Sequence, residues 1–143
     1  MAQEWITLDE TVDLASFFSS DHPALRSMAL FDAIVNNTDR KIGHLLPTPD
    51  QEVYGCDHGV TFHVEDKLRT VLWQWADEQF TEKEIELLMR AKVLMVTELR
   101  EKLMPLLTQD EIDAMAARID RLIDQGRFPL PNPDWPAVPW PAF

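Results

Sequence analysis

Apolar positions recur at helical spacing in four stretches, and three of these carry their own start signals. Thr7-Leu8-Asp9-Glu10 fits the S/T-x-x-E capping box ahead of an apolar segment that reaches Phe17-Phe18. Thr81-Glu82-Lys83-Glu84 and Thr108-Gln109-Asp110-Glu111 repeat that pattern. A second helix is expected from about Pro23 to Asn36, with Ser20 or Asp21 as cap and Pro23 in its first turn. His22 is read as serving the same helix end. Leu25, Met28, Ala29, Leu30, Phe31, Ala33, Ile34 and Val35 cover more than one stripe of it, which predicts burial on several sides.

The third helix is expected over 81–104, with Ile85, Leu88, Met95, Leu99 and Leu103 on one face and Pro105 as its stop. Glu86 with Arg90, and Glu98 with Lys102, are spaced as i,i+4 pairs on its solvent side. The fourth carries Ile112, Met115, Ala116, Ile119, Leu122 and Ile123 and ends at Gly126, a suitable C′ residue. Both stripes read as ordinary core packing. Between the second and third helices the pattern changes. Gly43–Leu46 and Glu52–Cys56 are short strand-like runs around Pro47-Thr48-Pro49-Asp50-Gln51, which predicts a hairpin. Residues 60–80 are too apolar for a loose loop but show no dominant period, and read as mixed loop and short helix. From Phe128 onward, six prolines and two tryptophans exclude a helix and predict an extended tail with Trp135 and Trp140 packed into grooves. The fold expected is mainly α with one small β-hairpin: a body over 1–127 and a Pro/Trp-rich tail over 128–143.

Composition narrows the function. The 143 residues favour one domain, and no window approaches the run of apolar residues that a transmembrane helix requires. Met1-Ala2-Gln3-Glu4-Trp5 lacks the pattern of a secretory leader, and a single cysteine excludes an internal disulfide and four-cysteine zinc sites. The expected setting is cytoplasmic. Thirteen Lys plus Arg against 25 Asp plus Glu give a net charge of −12. That field repels phosphate backbones and anionic headgroups, so nucleic-acid binding and unaided docking to an acidic membrane are disfavoured.

The candidate chemistry lies between Asn36 and Gly59. A hairpin sets its two ends side by side, which brings Asp39 and Asp57 to one end of the sheet with Lys41 and His44 beside them. Two converging carboxylates can hold a divalent cation and orient a hydroxyl. Asn37-Thr38-Asp39-Arg40-Lys41 followed by Asp57-His58-Gly59 resembles the catalytic and metal-binding loops of the protein-kinase-like superfamily, in its phosphatidylinositol 3- and 4-kinase branch. Asn36–Leu46, Tyr54–His63 and Lys67–Ala76 are similar to a group of small actinobacterial proteins classed with those kinases. The resemblance extends over about residues 10–125, and its motifs are specific only as a pair.

The resemblance implies ATP, with magnesium or manganese, as cofactor. It implies Asp39 as the aspartate that accepts or orients the substrate hydroxyl, Arg40 as a brace of the loop, and Lys41 as a charge on the transferred phosphoryl. Asp57 would hold the metal. His44 stands where that family has a metal-binding asparagine, a departure that would favour manganese or zinc over magnesium. His58 replaces an aromatic, and Gly59 keeps the turn.

The plainer readings are a loop ion pair at Asp39-Arg40, a solvated turn at Asp57-His58-Gly59, a surface histidine at 63 and a buried small hydrophobe at Cys56. A metal hydrolase built from His44, Asp57, His58 and His63 lacks any recognised ligand spacing. At most about 35 residues precede the catalytic loop, too few for the nucleotide-holding lobe of a kinase. The chain therefore reads as a kinase-like C-lobe without its N-terminal lobe, weakly active or inactive alone. The alternatives are a kinase-derived interaction module without catalysis and an unrelated helical binding protein. Apolar surface uncovered by the missing lobe would be closed by the tail or by a homodimer. The dimer is the expectation, because a tail leaving Gly126 on the far side would not reach the catalytic edge.

Overall fold

The chain is seen in a computed structural model that describes residues 5–143. The four residues ahead of them, within the stretch that lacks a leader pattern, lie outside the described residues. In chain order the elements are α1 (Leu14–Phe17), α2 (Pro23–Val35), β1 (Leu45–Pro47), β2 (Val53–Gly55), α3 (Glu82–Leu94), α4 (Glu98–Leu103) and α5 (Gln109–Gln125). None of these helices is long and apolar enough to cross a membrane.

Helix α5 is the spine, and both α3 and α2 pack on it. Its Ile112, Met115, Ile119 and Leu122 are buried with Leu88 of α3, Leu25 and Leu30 of α2, and Met95 just beyond α3. The capping boxes expected at Thr81 and Thr108 form. Each threonine hydroxyl accepts from the backbone N–H three residues on, and Glu84 or Glu111 accepts in return from the threonine's own N–H at 2.7 Å. Gly126 ends α5 at φ 67°, a left-handed conformation that only glycine adopts without strain. At the start of α2 the cap is His22, whose Nδ1 accepts from Ala24 N at 3.2 Å. Neither Ser20 nor Asp21 takes that role. Asn36 closes the other end in the left-handed region.

Four expectations are corrected. The Thr7–Glu10 box does not start a helix. Asp9 instead accepts from Thr11 N and Oγ1, a local turn that competes with helical pairing, and α1 begins at an Asp13 cap and lasts one turn. The third helix is two helices. Thr97, in a non-helical conformation, donates its hydroxyl to Val93 O at 3.0 Å and interrupts the ladder between α3 and α4. On the solvent side neither Glu86–Arg90 nor Glu98–Lys102 forms an ion pair among the described residues, and two other cations reach across to α5: Lys92 pairs with Asp120 at 2.7 Å and Arg100 with Asp113 at 3.1 Å. Residues 60–80 contain turns and isolated bridges and no helix.

The tail departs furthest. It is extended, but it crosses back over the body, where Ala137 O accepts from Thr70 N at 3.0 Å and from Trp73 Nε1 at 2.8 Å, and Ala142 O accepts from Ile42 N at 2.8 Å. It therefore does reach the loop that follows Arg40. Trp135 lies under Lys67 and Arg69, whereas Trp140 is 91% exposed and anchors nothing.

Strands β1 and β2 pair antiparallel with Leu45 opposite Gly55 and Pro47 opposite Val53. The turn closes through Thr48 N to Glu52 O at 2.9 Å, and Cys56 N donates to His44 O at 3.1 Å beyond the last pair. The stems of the hairpin are thereby held side by side.

Candidate functional site

The loop after α2 is set by a buried ion pair. Arg40 and Asp32 are both fully buried, and the guanidinium binds the carboxylate through Nε (3.0 Å to Oδ2) and a terminal nitrogen (2.9 Å to Oδ1). A buried charge pair is tolerable only when its remaining donors and acceptors are filled. Here most of them are filled. Asn37 Nδ2 donates to Asp32 Oδ1 at 2.9 Å. Arg40 donates its second terminal nitrogen to Cys56 O at 3.1 Å, and the terminal nitrogen that binds Asp32 also donates to His58 Nε2 at 2.7 Å. The first motif is thus hydrogen-bonded directly to the second. The ion pair fixing the end of α2 is Asp32–Arg40 rather than Asp39–Arg40.

Arginine can only donate, so His58 accepts at Nε2 and its neutral ring carries the proton on Nδ1. Burial, followed by the Arg40 charge, holds the His58 pKa below its usual value. The Phe31 ring meets it edge-on at 5.3 Å. Gly55 leaves room for this junction. A Cβ there would lie 3.2 Å from Arg40, His58 and Met28 side-chain atoms alike.

Asp39 stands outside the buried pair, half-buried. Its N–H donates to Asn37 Oδ1 at 3.0 Å, and its carboxylate lies 3.9 Å from Lys41 Nζ and 3.6 Å from a terminal nitrogen of Arg69. Arg69 is held there by donating Nε to Thr38 O at 2.7 Å. Arg40 N–H donates to Arg69 O, and Val71 N–H to Arg40 O, so the 69–71 segment lines the same loop. Asp39 is therefore a carboxylate between two cations.

On the other stem, His44 Nε2 lies 3.7 Å from Asp57 Oδ2, and Asp57, at φ 54°, is exposed. The Lys41 N–H donates to His44 Nδ1 at 3.3 Å. With Nδ1 accepting, the neutral ring carries its proton on Nε2, on the side of Asp57, and offers no lone pair there. Ligation of a divalent cation by His44 Nε2 would require that proton to move and the Lys41 contact to give way. Among the described residues, no three of His, Cys, Asp and Glu converge as a metal-holding group. His63 is exposed and accepts from Glu65 N at Nδ1. Burial, reinforced by Asp57 and opposed by Arg40, pushes the Cys56 thiol pKa up, which disfavours the thiolate.

Asp32 and Arg69 escaped the sequence reading. The usable signal for Asp32 is a lone carboxylate inside the apolar run Leu30-Phe31-Asp32-Ala33-Ile34, eight residues before an arginine. Arg69 has no such mark, since its place beside Asp39 is made by chain crossing.

The chain is 41% identical over 135 residues to Protein Rv2133c of Mycobacterium tuberculosis, strain H37Rv, a match that takes in 94% of this chain and 48% of that protein. The chain spans about half the length of this curated relative. No family model matches it, and no solved structure matches it.

Proposed function

We propose that this chain is the C-terminal lobe of a phosphotransferase of the phosphatidylinositol 3- and 4-kinase type, transferring phosphoryl from ATP to a hydroxyl when a nucleotide-holding lobe is supplied. The observation that carries the reading is the bonding of Arg40 to both Cys56 O and His58 Nε2. Two motifs that mean little separately share one buried guanidinium. Asp39 would orient the acceptor hydroxyl, and Lys41 would face the charge that develops on the phosphoryl. Arg40, fully buried, acts as a positioning residue. Asp57 is the carboxylate that the second loop offers toward the nucleotide, and His44 in its present tautomer stays outside any metal shell. A cytoplasmic setting accords with ATP as donor. The partner would be a nucleotide lobe, for which Protein Rv2133c has room outside the matched stretch.

Calorimetric titration with ATP and magnesium or manganese tests the reading. The 143-residue chain should bind ATP weakly, lose that binding in Asp57→Asn, and show negligible phosphotransfer. Sub-micromolar binding would mean that no lobe is missing, and binding indifferent to Asp57→Asn would remove Asp57 from the site. One observation favours the second reading, a kinase-derived module without catalysis: the Lys41 N–H bond that turns His44 away from metal ligation.

A further inference from the structure

A cleft of about 550 Å³ lies between α5, the 66–68 loop and the start of the tail, and no residue of 36–59 lines it. Its chemistry is unlike that of the rest of the chain. Arg118, Arg121 and Arg127 line it against two carboxylates, Asp66 and Asp77, in a protein that carries 13 basic residues against 25 acidic ones. Arg118 and Arg121 are three positions apart on α5, hence neighbours on one face. Arg127 pairs with Asp77 at 3.0 Å. Among the described residues, no carboxylate lies within ion-pair distance of the other two.

Arg118 is only 5% exposed. It donates to Ile34 O and His63 O, both at 2.9 Å, which caps the carbonyl end of α2 and accounts for its burial. That role does not involve Arg121, which is exposed beside it. Burial and then the charge of Arg121 push the Arg118 pKa down to about 10, with Asp66 the lesser, opposing influence. Two guanidiniums lie close here, and an anion between them would relieve their repulsion. Leu68, Leu122 and Phe128 give the cleft an apolar floor, and its volume is that of a small-molecule site.

We infer that this cleft binds a small amphiphilic anion, its carboxylate or phosphate head between Arg118 and Arg121 and its apolar body on Leu68, Leu122 and Phe128. Guanidinium pairs of this kind bind either head through paired N–H donors. The chain's overall negative charge works against large polyanions, so the ligand is a small one with a compact head.

Octanoate, octyl phosphate, inorganic phosphate and octanol, titrated into the 143-residue chain by calorimetry, separate the terms. Octanoate or octyl phosphate should bind saturably, the tighter of the two identifying the head. Inorganic phosphate and octanol should each bind more weakly. Arg121→Gln, at an exposed position and so compatible with folding, should weaken the better ligand about tenfold or more. Arg100→Gln, outside the cleft, should leave binding unchanged. The inference is overturned if neither octyl anion binds saturably, if Arg121→Gln binds as tightly as the parent with an unchanged circular dichroism spectrum, or if octanol binds as well as the anions. Since no residue is shared with the Asp39–Asp57 edge, either outcome leaves the kinase-like reading where it stood.

Discussion

Arg40 has its guanidinium nitrogens directed to one carboxylate, one carbonyl and one imidazole, with no access to water. Removing it strands Asp32 as a buried charge. Arg40→Ala should therefore cost about 3–5 kcal/mol in urea unfolding, and Asp32→Leu combined with Arg40→Met should recover most of that. Arg40→Lys should recover little, because an ammonium cannot reproduce the planar fork. His58 adds a pH dependence of defined sign. Its folded pKa lies below the ordinary 6.5, so between those values the unfolded chain holds more protons. The resulting stability is complete above about pH 6.5 and is lost as pH falls through the folded pKa. Thermal unfolding followed from pH 8 downward should fall more steeply below that point in the parent than in His58→Gln. Equal slopes would mean that the imidazole does not accept from Arg40.

At the scale of elements, the helices begin and end where short-range chemistry directs. Thr108→Ala removes the acceptor for Glu111 N–H and should cost about 1 kcal/mol. Gly126→Ala meets no steric obstacle, yet it forces a side chain into φ 67°, a cost of about 1–2 kcal/mol. Denaturant melts of the two variants and of their combination check both figures, and the pair should be additive, since the sites lie at opposite ends of α5. The interruption at Thr97 belongs to the same scale. A β-branched hydroxyl that bonds back to Val93 O trades one ladder position for a turn, and Met95 stays buried in the core just before it.

The whole molecule is closed by its tail. Three hydrogen bonds, at Ile42, Thr70 and Trp73, fasten residues 137–142 across the segments that flank Arg40. This removes the reason for expecting a dimer on that edge, which was a tail too distant to cover it. At micromolar concentration the chain should sediment as a 16.5 kDa monomer. Deleting residues 130–143, which also removes the bond from Asn132 Nδ2 to Asp66 O, should cost on the order of 4 kcal/mol, at about 1 kcal/mol per lost bond, and promote self-association. A full-length chain that dimerises as readily as the truncated one would show that the tail does not close the surface.

The extents of α2 and α5, the hairpin and the boxes at Thr81 and Thr108 were legible in the sequence. Each depends on contacts within a few residues: a hydroxyl and its N–H, an apolar stripe, a proline-flanked turn. The adjacency of the two motif-bearing stems was legible for the same reason, since a hairpin returns its ends together. The site's internal wiring was not. Asp32 meets Arg40 eight residues on, Arg69 reaches Asp39 from another segment, and Ala137 meets Thr70 across the molecule. Those pairings answer a demand that arises only after burial, when each charged or polar group must find a partner among whatever chain lies nearby. Local pattern decided where helices and strands form. Only the packed tertiary structure decided which residue satisfies Arg40 and where the tail comes to rest.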